Sequence, residues 1–249
     1  MKLKFLKILL LFLALGITSC SKNIDDVIKA HLKARGGDAL NTLKTINVQG
    51  KLSQMGFNTS YKMFLEFPDK LRYELNLMGK NIFTIMNGNK GWYISDTTAQ
   101  EIPEMNLKDM KEEMKYQFNI FKSQLANYKE DNLKTELLGK VKDSSLKKDV
   151  YKIHMILKDS TDITDFIDAD SYLEIKTITK RKIPGREPAE HETYYKDYKK
   201  VNGLTIPHKI EIKMKGNVVS GFTFEKVTIN EPINPQMFQP FKPATSAMK

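Results

Sequence analysis

The chain has 249 residues, a formal charge of +10, 41% hydrophobic residues and one cysteine. A lone cysteine excludes an internal disulfide. The basic balance would suit nucleic acid, but the export signal read below removes that partner. Anionic lipid headgroups then match the charge better, and a solvated lysine-rich surface accounts for it with no site at all.

The first residues read as an address. Lys2, Lys4 and Lys7 precede an apolar stretch from Ile8 to Ile17, which is shorter than the ~20 residues a bilayer span needs. It ends in Ile17-Thr18-Ser19-Cys20, the lipobox order of a branched apolar residue, two small residues and a cysteine. Cys20 is therefore expected to carry the lipid and to become the first residue of the mature chain. An ordinary secretory signal followed by a stray cysteine is the alternative. One acyl chain anchors weakly at ~0.8 kcal/mol per buried CH₂, and two or three hold firmly. Loss of residues 1–19 leaves 230 residues with a charge of +7, a length that suits one all-β domain of ~200–250 residues. The expected organisation is a signal peptide over 1–19, then the lipidated Cys20 with a tether and first helix to residue 35. A single domain follows over 36–249.

In chain order, Ile24, Val27, Ile28, His31 and Leu32 share a helical face, and Gly36-Gly37 stops that helix. Strands are predicted over 45–53, 59–67, 70–77, 81–86 and 91–95. Tyr61, Met63, Leu65 and Phe67 alternate against Lys62 and Glu66; Leu71, Tyr73, Leu75 and Leu77 alternate against Arg72, Glu74 and Asn76. Each such strand has one apolar and one wet face. A second helix carries Leu107, Met110, Met114, Phe118 and Phe121 three or four residues apart, with Asp109 and Lys111 off that stripe. Further strands are predicted over 150–158, 171–180, 192–199, 204–215 and 218–229. The proline-bearing tail after Pro232 is expected to lie over the surface. The sum is a mainly β, α+β fold of about ten or eleven antiparallel strands with two substantial helices. A sheet of that size tends to curl, and helices can plug its concave side.

Several segments resemble the LolA/LolB-like outer-membrane lipoprotein-sorting proteins. They are Ala39 to Lys51, Phe67-Pro68-Asp69-Lys70-Leu71-Arg72, Asn87-Gly88-Asn89-Lys90-Gly91-Trp92-Tyr93, Phe166 to Leu173, Glu192 to Tyr198, Asn202 to His208, and Asn230-Glu231-Pro232-Ile233 with Phe238. Their order and spacing carry the resemblance over residues 36–241. It implies an open, incomplete β-barrel with helices as a lid, an apolar cavity for acyl chains, and a role in lipoprotein sorting to the outer membrane. It places the chain in the envelope of a Gram-negative-type bacterium, on the periplasmic side of the outer membrane, as a monomer with an acylated lipoprotein or lipid as partner. Two features depart from the family's soluble carrier. That carrier has no anchor, and it has an arginine that helps close its lid where this chain has Phe67.

The expected lipid-binding residues are Met63, Leu65, Phe67, Leu75, Met86 and Trp92 on the sheet, with Met110, Met114 and Phe118 on the lid. Each of these, taken singly, reads first as ordinary core. Acyl chains are held by area, ~25 cal/mol per Å² of apolar surface, so no catalytic group and no cofactor is required. No Gly-x-Ser-x-Gly elbow is present. Glu190-His191-Glu192 is no metal site, since strand neighbours face opposite sides. Asp168 and Asp170 read as a turn, and Arg72–Glu74 as an exposed pair. The expected function is binding and transfer without catalysis; an envelope sensor or interaction module on the same fold is the alternative.

Overall fold

The structure, a computed structural model, describes residues 22–54, 56–96, 98–181 and 188–242, without the side chains of residues 112, 113 and 116. The signal segment and Cys20 lie outside the described residues. One antiparallel sheet of thirteen strands runs through them. The strands are β1 (Thr45–Gln54), β2 (Phe57–Glu66), β3 (Lys70–Leu77), β4 (Lys80–Asn87), β5 (Lys90–Ile94), β6 (Ala99–Glu101), β7 (Lys134–Asp143), β8 (Lys148–Ile156), β9 (Asp162–Asp168), β10 (Glu174–Arg181), β11 (Ala189–Val201), β12 (Leu204–Met214) and β13 (Asn217–Ile229). Their spatial order is β6-β5-β4-β3-β2-β1-β13-β12-β11-β10-β9-β8-β7. The ladder does not close, so β6 and β7 are free edges and the fold is the expected open barrel.

Three strands beyond the ten predicted account for the difference in number. β6 has only three residues. In β7 a register shift between Leu137 and Gly139 breaks the period-two pattern by inserting an extra residue. In β9, buried along almost its whole length, the acid Asp165 faces inward and Phe166 outward, so polar and apolar residues do not alternate cleanly.

Two helices lie on the concave side. In α1 (Ile24–Arg35), the Asn23 side chain accepts from the Asp26 N–H at 2.8 Å, and Asp25 and Asp26 stand in the first turn, where they complement the exposed N–H groups and the dipole. Gly36 ends it at φ 138°, in a position where a Cβ would lie 2.8 Å from the Gly203 carbonyl oxygen. α2 (Glu104–Lys122) begins after Pro103 and ends at Ser123.

The tail does more than lie over the surface. Its short 3-10 turn, Pro235–Phe238, sinks Phe238 completely on the convex side of β3 and β4. The Arg72 guanidinium donates to the Met237 carbonyl at 3.0 Å and to Glu74 at 2.6 Å, and lies against the rings of Phe83 and Phe241. Arg72–Glu74 is thus a largely covered pair, where an exposed one was expected.

Candidate functional site

Alternation along β1 to β5 sets the concave wall. Register puts Ile46, Val48 and Leu52 beside Leu65, Met63 and Thr59, and Tyr61, Met63 and Leu65 beside Leu75, Tyr73 and Leu71. Leu71 and Leu75 continue to Met86 and Ile82. The wall is apolar because most inward residues of these strands are apolar, and α2 lies on it. Leu107, Met114, Phe118 and Phe121 are buried there together with Met63, Leu65, Leu71 and Met86. Phe118 meets Phe67 with ring centroids 4.5 Å apart, and Phe121 stacks on Phe224 at 5.8 Å. Phe67 therefore meets α2 through ring contact.

Eight of the nine expected residues fall in this one cluster. Met63, Leu65, Met86, Met114 and Phe118 are buried, while Phe67, Leu75 and Met110 pack partly buried around them. Trp92 does not join them. It pairs with Ile85, which pairs with Arg72, so Trp92 shares the convex face. The inward position on β5 belongs to its neighbour Gly91, where a Cβ would sit 2.9 Å from both Ile102 Cδ1 and Leu107 Cδ1. Close approach of α2 requires the glycine, and alternation then turns the tryptophan outward.

The other half of the sheet is lined differently. Inward positions on β9 to β13 carry Ile163 and Asp165, Thr177 and Thr179, Thr193 and Tyr195, Ile210 and Ile212, and Phe222. Between these strands and the C-terminal part of α2 lies a cavity of about 170 Å³, with Glu174, Arg181 and His191 also in its wall. None of the nine expected residues borders it. Small-molecule sites usually enclose ~300–1,000 Å³, so a long acyl chain does not fit while α2 stays in place.

A polar cluster lines part of this cavity. Asp165 is 4% exposed. Burial, with the charge of Glu174 beside it, pushes its carboxyl well above the ordinary carboxylate range. The Thr177 hydroxyl lies 2.8 Å from Asp165 Oδ1 and also bonds Glu174. One hydroxyl has one hydrogen to give. Both contacts are satisfied if a protonated Asp165 donates to Thr177 and Thr177 donates to Glu174. The direction of the pKa shift agrees.

Two residues of α1 hold the far end of α2. His31 and Arg35, four apart, project from one face of α1. Arg35 is 1% exposed. Its Nη2 donates to the carbonyls of Ile120 at 2.6 Å and Phe121 at 3.2 Å, its Nε to the Thr205 carbonyl at 3.0 Å, and its Nη1 lies 3.9 Å from Glu174. The last carbonyls of a helix lack partners within it, and a cation there also complements the dipole. His31 Nδ1 lies 2.9 Å from the Tyr172 carbonyl and Nε2 lies 2.9 Å from Ser123 Oγ. Burial, then the Arg35 charge, pulls its pKa down to about 3, so the ring is neutral near pH 7. A carbonyl only accepts; Nδ1–H therefore donates to Tyr172, and Nε2 accepts from Ser123.

Asp165 had a legible signal, an acid at the inward position between Ile163 and Ile167. Glu174 did not, because a register shift between Glu174 and Lys176 defeats alternation. On β11, Glu190 and Glu192 pair with Lys180 and Lys176 while His191 borders the cavity, so the three neighbours do divide between faces. Asp168 Oδ1 accepts from the Asp170 and Ser171 N–H groups, and its carboxylate meets Lys148; this is turn chemistry.

No protein-family model matches the sequence, and no curated protein matches it. Solved structures do resemble the fold. A DUF1329 family protein from Desulfovibrio piger superposes with a TM-score of 0.57 at 9% identity, over 88% of this chain and 98% of that one. A LolA superfamily protein from Nitrosomonas europaea gives 0.55 at 11% identity, over 88% and 99%. The fold is LolA-like.

Proposed function

We propose that this chain is a lipid-anchored envelope protein that shelters the acyl chain of a lipoprotein or lipid and hands it on at the outer membrane. The LolA-like fold supports a binding role over a catalytic one. The observation that carries the reading is the seat of α2: a helix stripe of Leu107, Met114, Phe118 and Phe121 fills an apolar trough that a hydrocarbon tail could fill instead. Burying one such side chain stabilises by ~1.5–3 kcal/mol, so four contribute roughly 6–12. A chain of ~16 carbons, at ~0.8 kcal/mol per CH₂, offers on the order of 10 kcal/mol before costs. The two terms are similar, and that balance suits a protein that must both load and release. Methionine in the seam favours the exchange because it adapts to either partner.

The test is native mass spectrometry of the mature chain purified from its own membranes. An acylated species should copurify. Leu65 is fully buried, so an arginine there would unfold the sheet instead of reporting on binding. Leu75, partly exposed at the other end of the trough, is the better probe: Leu75→Arg should fold and lose the adduct. Wild-type protein that carries no acylated species would overturn the proposal.

A further inference from the structure

Three adjacent hairpins end in apolar side chains where turn chemistry calls for polar ones. Register places the turns of β1–β2, β3–β4 and β12–β13 side by side at one end of the sheet. Phe57 is 56% exposed, Met78 80% and Val218 56%, with Leu77 and Met214 also open. Val218, beyond the register shift between Ile212 and Lys213, pairs with Lys213 on the convex side of the tip, while Phe57, Leu77 and Met214 continue the inward alternation of Tyr61, Leu75 and Ile212 past the end of the core. They form an apolar lip on the concave wall, and Leu75, Ile82, Ile212 and Phe222 just inside it remain partly exposed. Met78 at φ 51° before Gly79, and Lys215 at φ 48° before Gly216, hold two-residue turns that ordinarily take Asn or Asp first. A flexible apolar side chain at a left-handed turn position breaks two local preferences at once, as functional positions do. Residues 53–58, 76–81 and 213–218 include Lys80, Lys213 and Lys215 and no acid.

We infer that this lip docks on an anionic lipid surface. Apolar tips flanked by lysines are what a bilayer interface with negative headgroups accepts. The lip also lies at the far end of the strands from the N-terminus. Lys22 sits 4.6 Å over the Tyr172 ring, in the turn between β9 and β10, where α1 is fixed by fully buried Val27, Ile28 and His31. Strands of ten residues span roughly 30 Å, and the two residues from Cys20 to Lys22 reach only ~7 Å. On the reading of Cys20 as the lipidated residue, the lip therefore meets a lipid surface other than the leaflet that holds the anchor. An open mouth at that end gives an acyl chain a route between the surface and the trough.

The experiment seats the mature lipidated chain in phosphatidylcholine vesicles and measures capture of dye-labelled vesicles with and without phosphatidylglycerol. Capture of the phosphatidylglycerol vesicles is expected. The variant F57D/M78D should capture about tenfold less with unchanged thermal unfolding, since both side chains are exposed. Absence of capture by the wild-type chain, or equal capture by the variant, would overturn the inference. Capture without an acylated adduct would leave the lip standing and sink the cavity reading; an adduct without capture would do the reverse.

Discussion

The two halves of the concave wall were built by the same alternation and do opposite things. On β1 to β5 the inward residues are mostly Val, Leu, Ile, Met and Tyr, and α2 packs closely on them. On β9 to β11 threonines, Asp165 and Tyr195 take the inward positions, and a gap of about 170 Å³ remains under the same helix. Hydrophobic wall attracts helix; polar wall keeps it at a distance and must satisfy its own hydrogen bonds. α2 is thus gripped by area along one half and by Arg35 and His31 at its end. On the proposed function, a helix held in this way is displaced by something that competes for area.

The contrast is open to direct attack. In the filled half, Leu65 is fully buried, and Leu65→Ala should lower stability by about 2–5 kcal/mol, as large-to-small changes in close-packed cores do. In the hollow half, Ile212→Ala should lower it by about 1 kcal/mol, because that side chain already borders space. Urea midpoints for the two variants check this, and equal losses would erase the distinction between halves.

Acid should act on the hollow side. The folded-state pKa of His31, about 3, lies below its unfolded value near 6.5, so the unfolded state binds the proton first. The stability present above pH 6.5 is then lost as pH falls toward 3, at up to ~1.4 kcal/mol per unit. The variant His31→Gln removes that component. The wild-type advantage over it should shrink with acidification in paired denaturation curves; a constant difference would remove His31 from the account.

A smaller effect concerns Asp165. Its folded pKa is raised, so its contribution has the opposite sign: it is complete below the ordinary carboxylate pKa and lost as pH rises through the elevated value. Asp165→Asn imitates the protonated acid, should match the wild type within ~1 kcal/mol below the ordinary carboxylate range, and should be the more stable of the two near pH 7 because it escapes this alkaline-going loss. A large loss at pH 7 would mean that the carboxylate is charged and needed.

The strands with clean alternation and both helix stripes were legible because burial on one face imposes a period. Eight of the nine wall residues came out in one cluster for the same reason. The failures have local causes. Trp92 was misplaced because its neighbour Gly91 has no side chain to announce an inward position. β7 and Glu174 were hidden by register shifts. The joint of Arg35 and His31 with α2 could not be read at all, since it depends on where one helix ends relative to another, and no period records that. The hollow was missed because a wall of threonines looks like a wet face until something is seen to cover it.

The central claim is that α2 and an acyl chain compete for one apolar trough. The most direct measurement is the affinity of a fluorescent fatty acid for wild-type protein and for Phe118→Ala, which removes the ring packed on Phe67. Weakening the closed state lowers the free energy that a ligand must supply to open it. The variant should therefore be less stable and bind the probe about tenfold more tightly, corresponding to ~1.4 kcal/mol of the lost lid contact. Unchanged or weaker binding by the destabilised variant would contradict the account, because it would show that Phe118 belongs to a permanent core.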